Sequence, residues 1–321
     1  MDTAADAAQP DDDHGDHGDH GDHGDRDRSV ADVAVFEQQR SRVFGLAYRL
    51  LGSAADAEDM VQETFLRWLA ADPGTVSVPE AWLTRVVTNL CLNRLTSARV
   101  QRERYVGPWL PEPVLTGEGA LGPMDTVEQR ESVSFGVLLL LERLTPPERA
   151  VFVLRAAFGH SHREIAAVLD IGEAHARQLY HRARGHVGGH RRRFAADADE
   201  QSRLVERFFA AAVDGDIAGL ERLLAEDVVS WADGGGQVTA ARRPVSGRDR
   251  VVRYLLGVGR RPEAAAARVE FREVNATASV VIRLDGSPAA VLVPEIRDGR
   301  VAAVRIVVSP AKLAFVSAQL A

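Results

Sequence analysis

The side chains of this chain whose types and spacing could do chemistry point to recognition rather than bond-making. His175, Arg177, Gln178, His181, Arg182 and Arg184 follow one another at helical spacing, and Arg191, Arg192 and Arg193 come after them. Arginine and glutamine near a helix N-terminus can read guanine and adenine edges in the major groove, while later arginines neutralise phosphates. Earlier in the chain, Asp56, Glu58, Asp59, Gln62 and Glu63 share one polar helix face. Arg85, Asn89, Asn93, Arg94 and Arg99 share another. Solvated helix surfaces would account for these two faces, and a surface helix pair for the arginine-rich one. Residue type alone therefore leaves the partner open.

Groups suited to catalysis are sparse. Residues 201–321 contain no histidine, and acid–base catalysis needs a paired acid and base. Asp233 is the best carboxylate candidate, but an Asp ahead of Gly234, Gly235 and Gly236 is more economically a turn residue. Cys91 is the sole cysteine, which excludes intramolecular disulfides and thiolate metal clusters. His14, His17, His20 and His23 recur in a His-Gly-Asp repeat that could hold nickel, zinc or copper weakly. The glycines prevent a preformed site, so residues 1–29 read as a disordered acidic tail. No metal site and no cofactor is assigned.

These side chains need elements to position them. Phe36, Val43, Phe44, Ala47, Leu50 and Leu51 repeat at helical spacing up to Gly52. Ser53 with Asp56 then opens a second helix by a capping-box pattern, with Met60, Val61, Phe65, Trp68 and Leu69 as its buried stripe. Asp72-Pro73-Gly74 ends it. Ser77, Pro79 and Glu80 open a third helix, which turns Trp82, Leu83, Val86, Val87, Leu90 and Leu95 inward. A second helical block covers residues 127–196. Thr145-Pro146-Pro147-Glu148 and Ser161 with Glu164 are helix starts, and Ala166, the short turn Asp170-Ile171-Gly172, Ala176 and Leu179 make a helix-turn-helix pattern.

Between the blocks lies Tyr105-Val106-Gly107-Pro108-Trp109-Leu110-Pro111-Glu112-Pro113. Its three prolines fix φ and remove backbone donors, so it is pre-set as an extended strip with little entropy left to lose. Apolar side chains on such a strip need a groove. In residues 201–321, helical spacing covers Leu204 to Phe209, Ile217 to Leu224 and Val251 to Leu256. Alternating strands follow from Ala267, with hairpin turns at Asp285-Gly286 and Asp298-Gly299.

The formal charge of −7 misleads. Residues 1–29 hold ten aspartates against Arg26 and Arg28, and removing that −8 leaves +1 for the remainder. The acidity does not argue against a nucleic-acid partner. There is no apolar run long enough to cross a bilayer and no signal segment, so a cytoplasmic location is expected.

Asp56-Ala57-Glu58-Asp59-Met60-Val61-Gln62-Glu63-Thr64-Phe65 and Ala81-Trp82-Leu83-Thr84-Arg85-Val86-Val87-Thr88-Asn89 resemble region two of extracytoplasmic-function (ECF) sigma factors. Leu144-Thr145-Pro146-Pro147-Glu148-Arg149 and the helix-turn-helix from Arg163 to Arg184 resemble their region four. The third block looks like a SnoaL-like cone domain. The linker, Asp233–Gly236 and Ser309-Pro310-Ala311-Lys312-Leu313 are similar to hallmarks of the ECF subgroup that carries one. The resemblance implies a multidomain chain: two all-α sigma domains (residues 30–104 and 127–196), a linker (residues 105–126), and an α+β SnoaL-like domain (residues 201–321).

It further implies that Asp56, Asp59, Gln62, Glu63 and Phe65 dock on the clamp helices of the RNA polymerase largest subunit. Trp82, Arg85, Asn89, Asn93 and Arg94 would open and read the −10 element, where a flipped base can be read. His175, Arg177, Gln178, His181 and Arg182 would read the −35 element. Tyr105, Trp109 and Leu110 are expected to meet Asp233, Gly234, Gly235, Gly236 and Lys312 and so tune the placement of the DNA-reading domains. Two departures from the family pattern are Asp170, where a turn glycine is usual, and Gly172 in place of a serine cap. A ligand-responsive helix-turn-helix regulator and a fused SnoaL-like enzyme are the alternatives. A small ligand for the third domain and a separate anti-sigma partner are left open.

Overall fold

The apolar stripe from Phe36 to Leu51 builds the longest helix, α1 (Gly21–Leu51), and that stripe is buried. The computed structural model describes residues 21–72, 76–117, 119–122, 124, 126–187 and 198–321. Helix α1 begins inside the stretch expected to be a disordered tail. Residues 1–20, with His14, His17 and His20, lie outside the described residues, as do Pro73 and Gly74 of the expected turn.

Gly52 at φ 67° turns the chain, and Ser53 caps α2 (Ala54–Leu69), its Oγ accepting from the Asp56 N–H at 3.1 Å. Val61 and Trp68 are buried, but Leu69 is exposed rather than part of the stripe. Seven residues nearly complete two turns, so Trp68 and not Leu69 returns to the side of Val61. Helix α3 (Pro79–Glu103) starts with proline in its first turn, where a missing N–H costs nothing.

The second helical block comprises α4 (Val127–Glu131), α5 (Phe135–Leu141), α6 (Pro146–Ala156), α7 (His162–Leu169) and α8 (Glu173–Val187). Glu148 and Glu164 each accept from the backbone N–H of the residue three before them, Thr145 and Ser161. Between α7 and α8, Asp170 takes the left-handed C-cap at φ 54°, a conformation short polar side chains tolerate. Ala166 and Ala176 are buried where the two helices approach. Arg191, Arg192 and Arg193 lie outside the described residues.

The C-terminal part is α+β: α9 (Ala198–Asp214), α10 (Ile217–Leu223), β1 (Leu224–Asp233), β2 (Val245–Ser246), α11 (Arg248–Gly259), β3 (Arg268–Val274), β4 (Thr277–Leu284), β5 (Ser287–Arg297), β6 (Arg300–Val307) and α12 (Pro310–Gln319). The sheet order is β2-β1-β6-β5-β4-β3, antiparallel except for β1 beside β6. Register shifts in β1, β4–β5 and β5–β6 bend the strands into a curved sheet. Strand β1 had no alternation to announce it, since Glu226 and Asp227 are both exposed near its start. Leu224, expected in a helix, is the first residue of β1. The expected hairpin turns are present, with Asp285, Gly286, Asp298 and Gly299 all at positive φ, and a third, Asn275-Ala276, has the same form.

Three apolar cores form among the described residues. One runs continuously from α1–α3 into α5–α8. A second lies between α9–α11 and one face of the sheet. The third joins the opposite face, through Val281, Val291, Val293 and Val307, to Leu110 and Leu115 of the linker, Phe135 of α5 and Leu313 of α12. The sheet is thus buried on both faces, one of them by the linker and the second helical block.

Candidate nucleic-acid interface and interdomain junction

On α8 the five residues expected at the −35 element, His175, Arg177, Gln178, His181 and Arg182, are all exposed, while Ala176, Leu179 and Ala183 are buried. The 3.6-residue period separates the two sets. Arg177 pairs with Glu173 at 3.2 Å and Arg182 with Glu148 at 3.3 Å. Both arginine heads stay largely in solvent, so these pairs are weak and exchangeable for phosphate.

On α3, Arg85, Asn89 and Asn93 recur every four residues and form an exposed row. Trp82 and Arg94 sit differently. Trp82 stands edge-on to Trp68, with ring centroids 5.6 Å apart. Arg94 donates to the Asp56 carboxylate at 2.6 Å. Two residues expected to face different partners, polymerase and DNA, are therefore bonded to each other. Phe65 of the acidic set is half-buried against Phe36, at 4.8 Å. Asp59 and Gln62 are exposed, and Glu63 pairs with Arg67 at 3.0 Å.

The linker residues converge on Asp233. This carboxylate is wholly buried and accepts from Tyr105 Oη at 2.6 Å, the Leu110 N–H at 2.8 Å, Lys312 Nζ at 2.7 Å and the Gly235 N–H at 3.1 Å. It is the last residue of β1 rather than a turn residue, and its acceptor capacity is filled. Lys312 also donates to the Leu110 carbonyl and lies 4.4 Å from the Trp109 ring centroid. Burial pulls the Lys312 ammonium below its ordinary range, against the opposing pull of Asp233. Burial also raises the Tyr105 phenol, helped by its bond to Asp233. Both shifts express the same condition: a charged pair held away from water and satisfied by its neighbours.

The glycines are required by the fit. Gly235 sits at φ 61°, and a Cβ there would lie 2.7 Å from Ser309 Oγ and 3.2 Å from Tyr105 Oη. A Cβ on Gly234 would lie 2.4 Å from the Val238 carbonyl oxygen, and one on Gly236 would press on Val106. Trp109 also carries Arg102 of α3 over its face at 4.0 Å, and a Cβ on Gly52 would reach its ring at 3.0 Å.

Several contributors were not picked out as site residues from the sequence. Glu112 of the linker accepts from Ser53 Oγ at 2.8 Å and from the Ala55 N–H at 3.0 Å. It thereby completes the cap of α2, the helix carrying Asp59 and Gln62. Arg102 joins Glu142, which Arg149 also meets at 2.6 Å. Tyr48 and Asn275 meet at 2.7 Å. Glu112 lies within the proline-rich linker, and a carboxylate among prolines was a legible signal. The others carry no local pattern.

A three-helix block joined by a proline strip to a five-helix block with an exposed helix-turn-helix defines a promoter-recognition factor of the sigma type. Two family descriptions match: "Sigma-70 region 2" over residues 35–100 and "Sigma-70, region 4" over residues 135–187. The chain is 43% identical over 231 residues to the ECF RNA polymerase sigma factor SigJ of Mycobacterium tuberculosis, covering 72% of this chain and 74% of that one. It is 32% identical over 291 residues to the probable ECF RNA polymerase sigma factor SigI of the same species, covering 89% and 96%. The crystal structure of the Mycobacterium tuberculosis SigJ superposes with a TM-score of 0.70 at 37% identity, covering 88% of this chain and 98% of that one. This chain belongs to the ECF RNA polymerase sigma factors. No described helix is long and apolar enough to cross a membrane.

Proposed function

We propose that the chain directs core RNA polymerase to promoters from a closed resting form that its C-terminal domain maintains. The observation that carries this reading is the direct packing of α3 against α6 and α7, and of α1 against α6, with one apolar core shared by both helical blocks. Elements centred at −10 and −35 are about 25 base pairs apart, or about 85 Å at roughly 3.4 Å per base pair. Helices in direct contact lie only about 10 Å apart. The exposed rows on α3 and α8 cannot reach both elements until the blocks separate.

In this reading Asp59, Gln62 and Glu63 meet the clamp helices of the polymerase largest subunit, with Asp56 and Phe65 supporting the helix from within. Arg85, Asn89 and Asn93 read the −10 strand, with Trp82 and Arg94 holding α3 in place. His175, Arg177, Gln178, His181 and Arg182 read the −35 duplex. The work is done in the cytoplasm, alongside the polymerase. The C-terminal domain acts as a regulator and not as an enzyme, because its best carboxylate, Asp233, is buried and fully hydrogen-bonded. The acidic α2 face gives no advantage to a repressor that binds DNA alone, so the sigma reading is favoured over that alternative.

Run-off transcription with purified core polymerase on a promoter pool tests the assignment. Defined starts are expected from the full chain, and Arg177→Ala with Gln178→Ala should lose those that depend on the −35 sequence. Unchanged starts in that variant would overturn the assignment of α8.

A further inference from the structure

The β3–β4 turn is built from Asn275 and Ala276, at φ 52° and 55°. Left-handed backbone suits asparagine, but alanine at the second position is unfavourable where glycine would be free. The surroundings explain the choice. Asn275 is completely buried, and Ala276 packs against the core of the two helical blocks rather than against its own domain.

Each hydrogen bond of the Asn275 amide leaves the C-terminal domain. Its Oδ1 accepts from the Val114 N–H in the linker at 3.0 Å. Its Nδ2 donates to Tyr48 Oη on α1 at 2.7 Å and to the Val133 carbonyl, between α4 and α5, at 2.7 Å. Tyr48 Oη in turn donates to the Glu112 carbonyl at 2.6 Å. The backbone N–H of Asn275 donates to the Val114 carbonyl at 2.9 Å. A planar amide offers two donors and one acceptor head, and here they are divided among the first helical block, the second block between α4 and α5, and the linker. Flanking contacts run the same way: Thr116 donates to Glu273 at 2.7 Å, Ala276 N–H to Thr116 Oγ1 at 2.9 Å, and Arg130 pairs with Glu273 at 2.5 Å.

We infer that the Asn275-Ala276 turn is a latch, a single buried amide that ties both DNA-reading blocks and the linker together and must withdraw before the chain can span a promoter. The inference rests on the closed-form reading above and names the element that holds it. The geometry makes release all-or-none. Moving either block leaves a buried polar group of Asn275, Tyr48 or Val133 without a partner, and such groups are costly unless water reaches them. The latch is separate from the Asp233 junction, which fastens the linker alone to the C-terminal domain.

The test uses the full chain with fluorophores on Leu69→Cys and Ala174→Cys, both exposed positions outside the proposed reading rows, while Cys91 stays wholly buried. Asn275→Ala should raise the separated population roughly tenfold or more, in the range of ordinary coupling between sites. It should raise affinity for core polymerase by a similar factor, with the helical content kept. Glu273→Gln, at a half-exposed position, gives the same direction with a smaller shift and guards against an Asn275 variant that does not fold. Folded variants with wild-type distances and wild-type core affinity would overturn the latch. Separation without transcription starts would support the latch and count instead against promoter reading.

Discussion

Lys312, the only lysine of the chain, places its Nζ 2.7 Å from the Asp233 carboxylate with both groups buried. The pair is also where the linker is fastened, since Leu110 gives its N–H to Asp233 and takes a bond from Lys312 at its carbonyl. A buried ion pair stabilises little against an apolar substitute, but breaking it on one side strands the other charge. Lys312→Met or Asp233→Asn should each cost about 3–5 kcal/mol in urea unfolding. The double variant should cost clearly less than the sum of the two. Additive costs would show that the two groups do not act as a pair.

Trp109 is clasped by Arg102, Lys312 and Gly52. Trp109→Ala removes that contact and should destabilise the chain by at most about 3 kcal/mol, the lower end of the range for a fully buried aromatic, because Trp109 is half-buried. Hydrogen exchange should rise together in the linker, at the C-terminus of α3 and around Asp233. Exchange that rises only in the linker would mean that the tryptophan does not couple the domains.

Gly235 and Gly172 should respond to substitution with opposite signs. Gly235→Ala meets both a positive φ and Ser309 Oγ, and should cost at least about 1–2 kcal/mol. Gly172, ahead of α8, has open space around the position of a Cβ. Gly172→Ser should add a side-chain cap worth a few tenths of a kcal/mol and raise Tm by about 1 °C. A lowered Tm in Gly172→Ser would show that α8 does not use this position as its cap.

Acid should loosen the contact between the helical blocks. Burial, with Arg42 of α1 nearby, holds His160 below the ordinary imidazole value, while Glu164 and Glu80 oppose the shift. Its Nε2 is buried without a partner. A lowered folded pKa means that the closed form binds fewer protons than the open or unfolded form. Stability is therefore full above about 6.5 and falls as pH drops from there to the lowered value, by less than the limiting ~1.4 kcal/mol per pH unit because the ring is partly open to solvent. Urea midpoints measured between pH 7.5 and 5 should show this slope, and His160→Gln should reduce it, the remainder coming from His162, which burial also holds low. An unchanged slope in that variant would assign the titration elsewhere.

The helices and their exposed faces were legible in the sequence because their causes are local. A cap, a proline in the first turn and an apolar period fall within a few residues, as at Ser53, Thr145 and Ser161. The division of α8 into exposed His175, Arg177, Gln178, His181 and Arg182 and buried Ala176 and Leu179 follows from period alone. The linker's need for a groove was also legible, from three prolines beside Trp109 and Leu110.

What the tertiary structure decided concerns groups distant along the chain. Asp233 reads as a turn residue in sequence, and becomes a junction only when Tyr105, Leu110 and Lys312 arrive from 128, 123 and 79 positions away. Asp56 and Arg94 look like members of two binding faces until folding bonds them across 38 positions. Asn275 reaches Tyr48 across 227 positions. Hydrogen bonds of that span leave no periodicity behind, since their partners are set by how the sheet, linker and helices pack and not by neighbours in the chain. The sequence by itself determined which faces could recognise DNA and polymerase, and packing determined that those faces are held together.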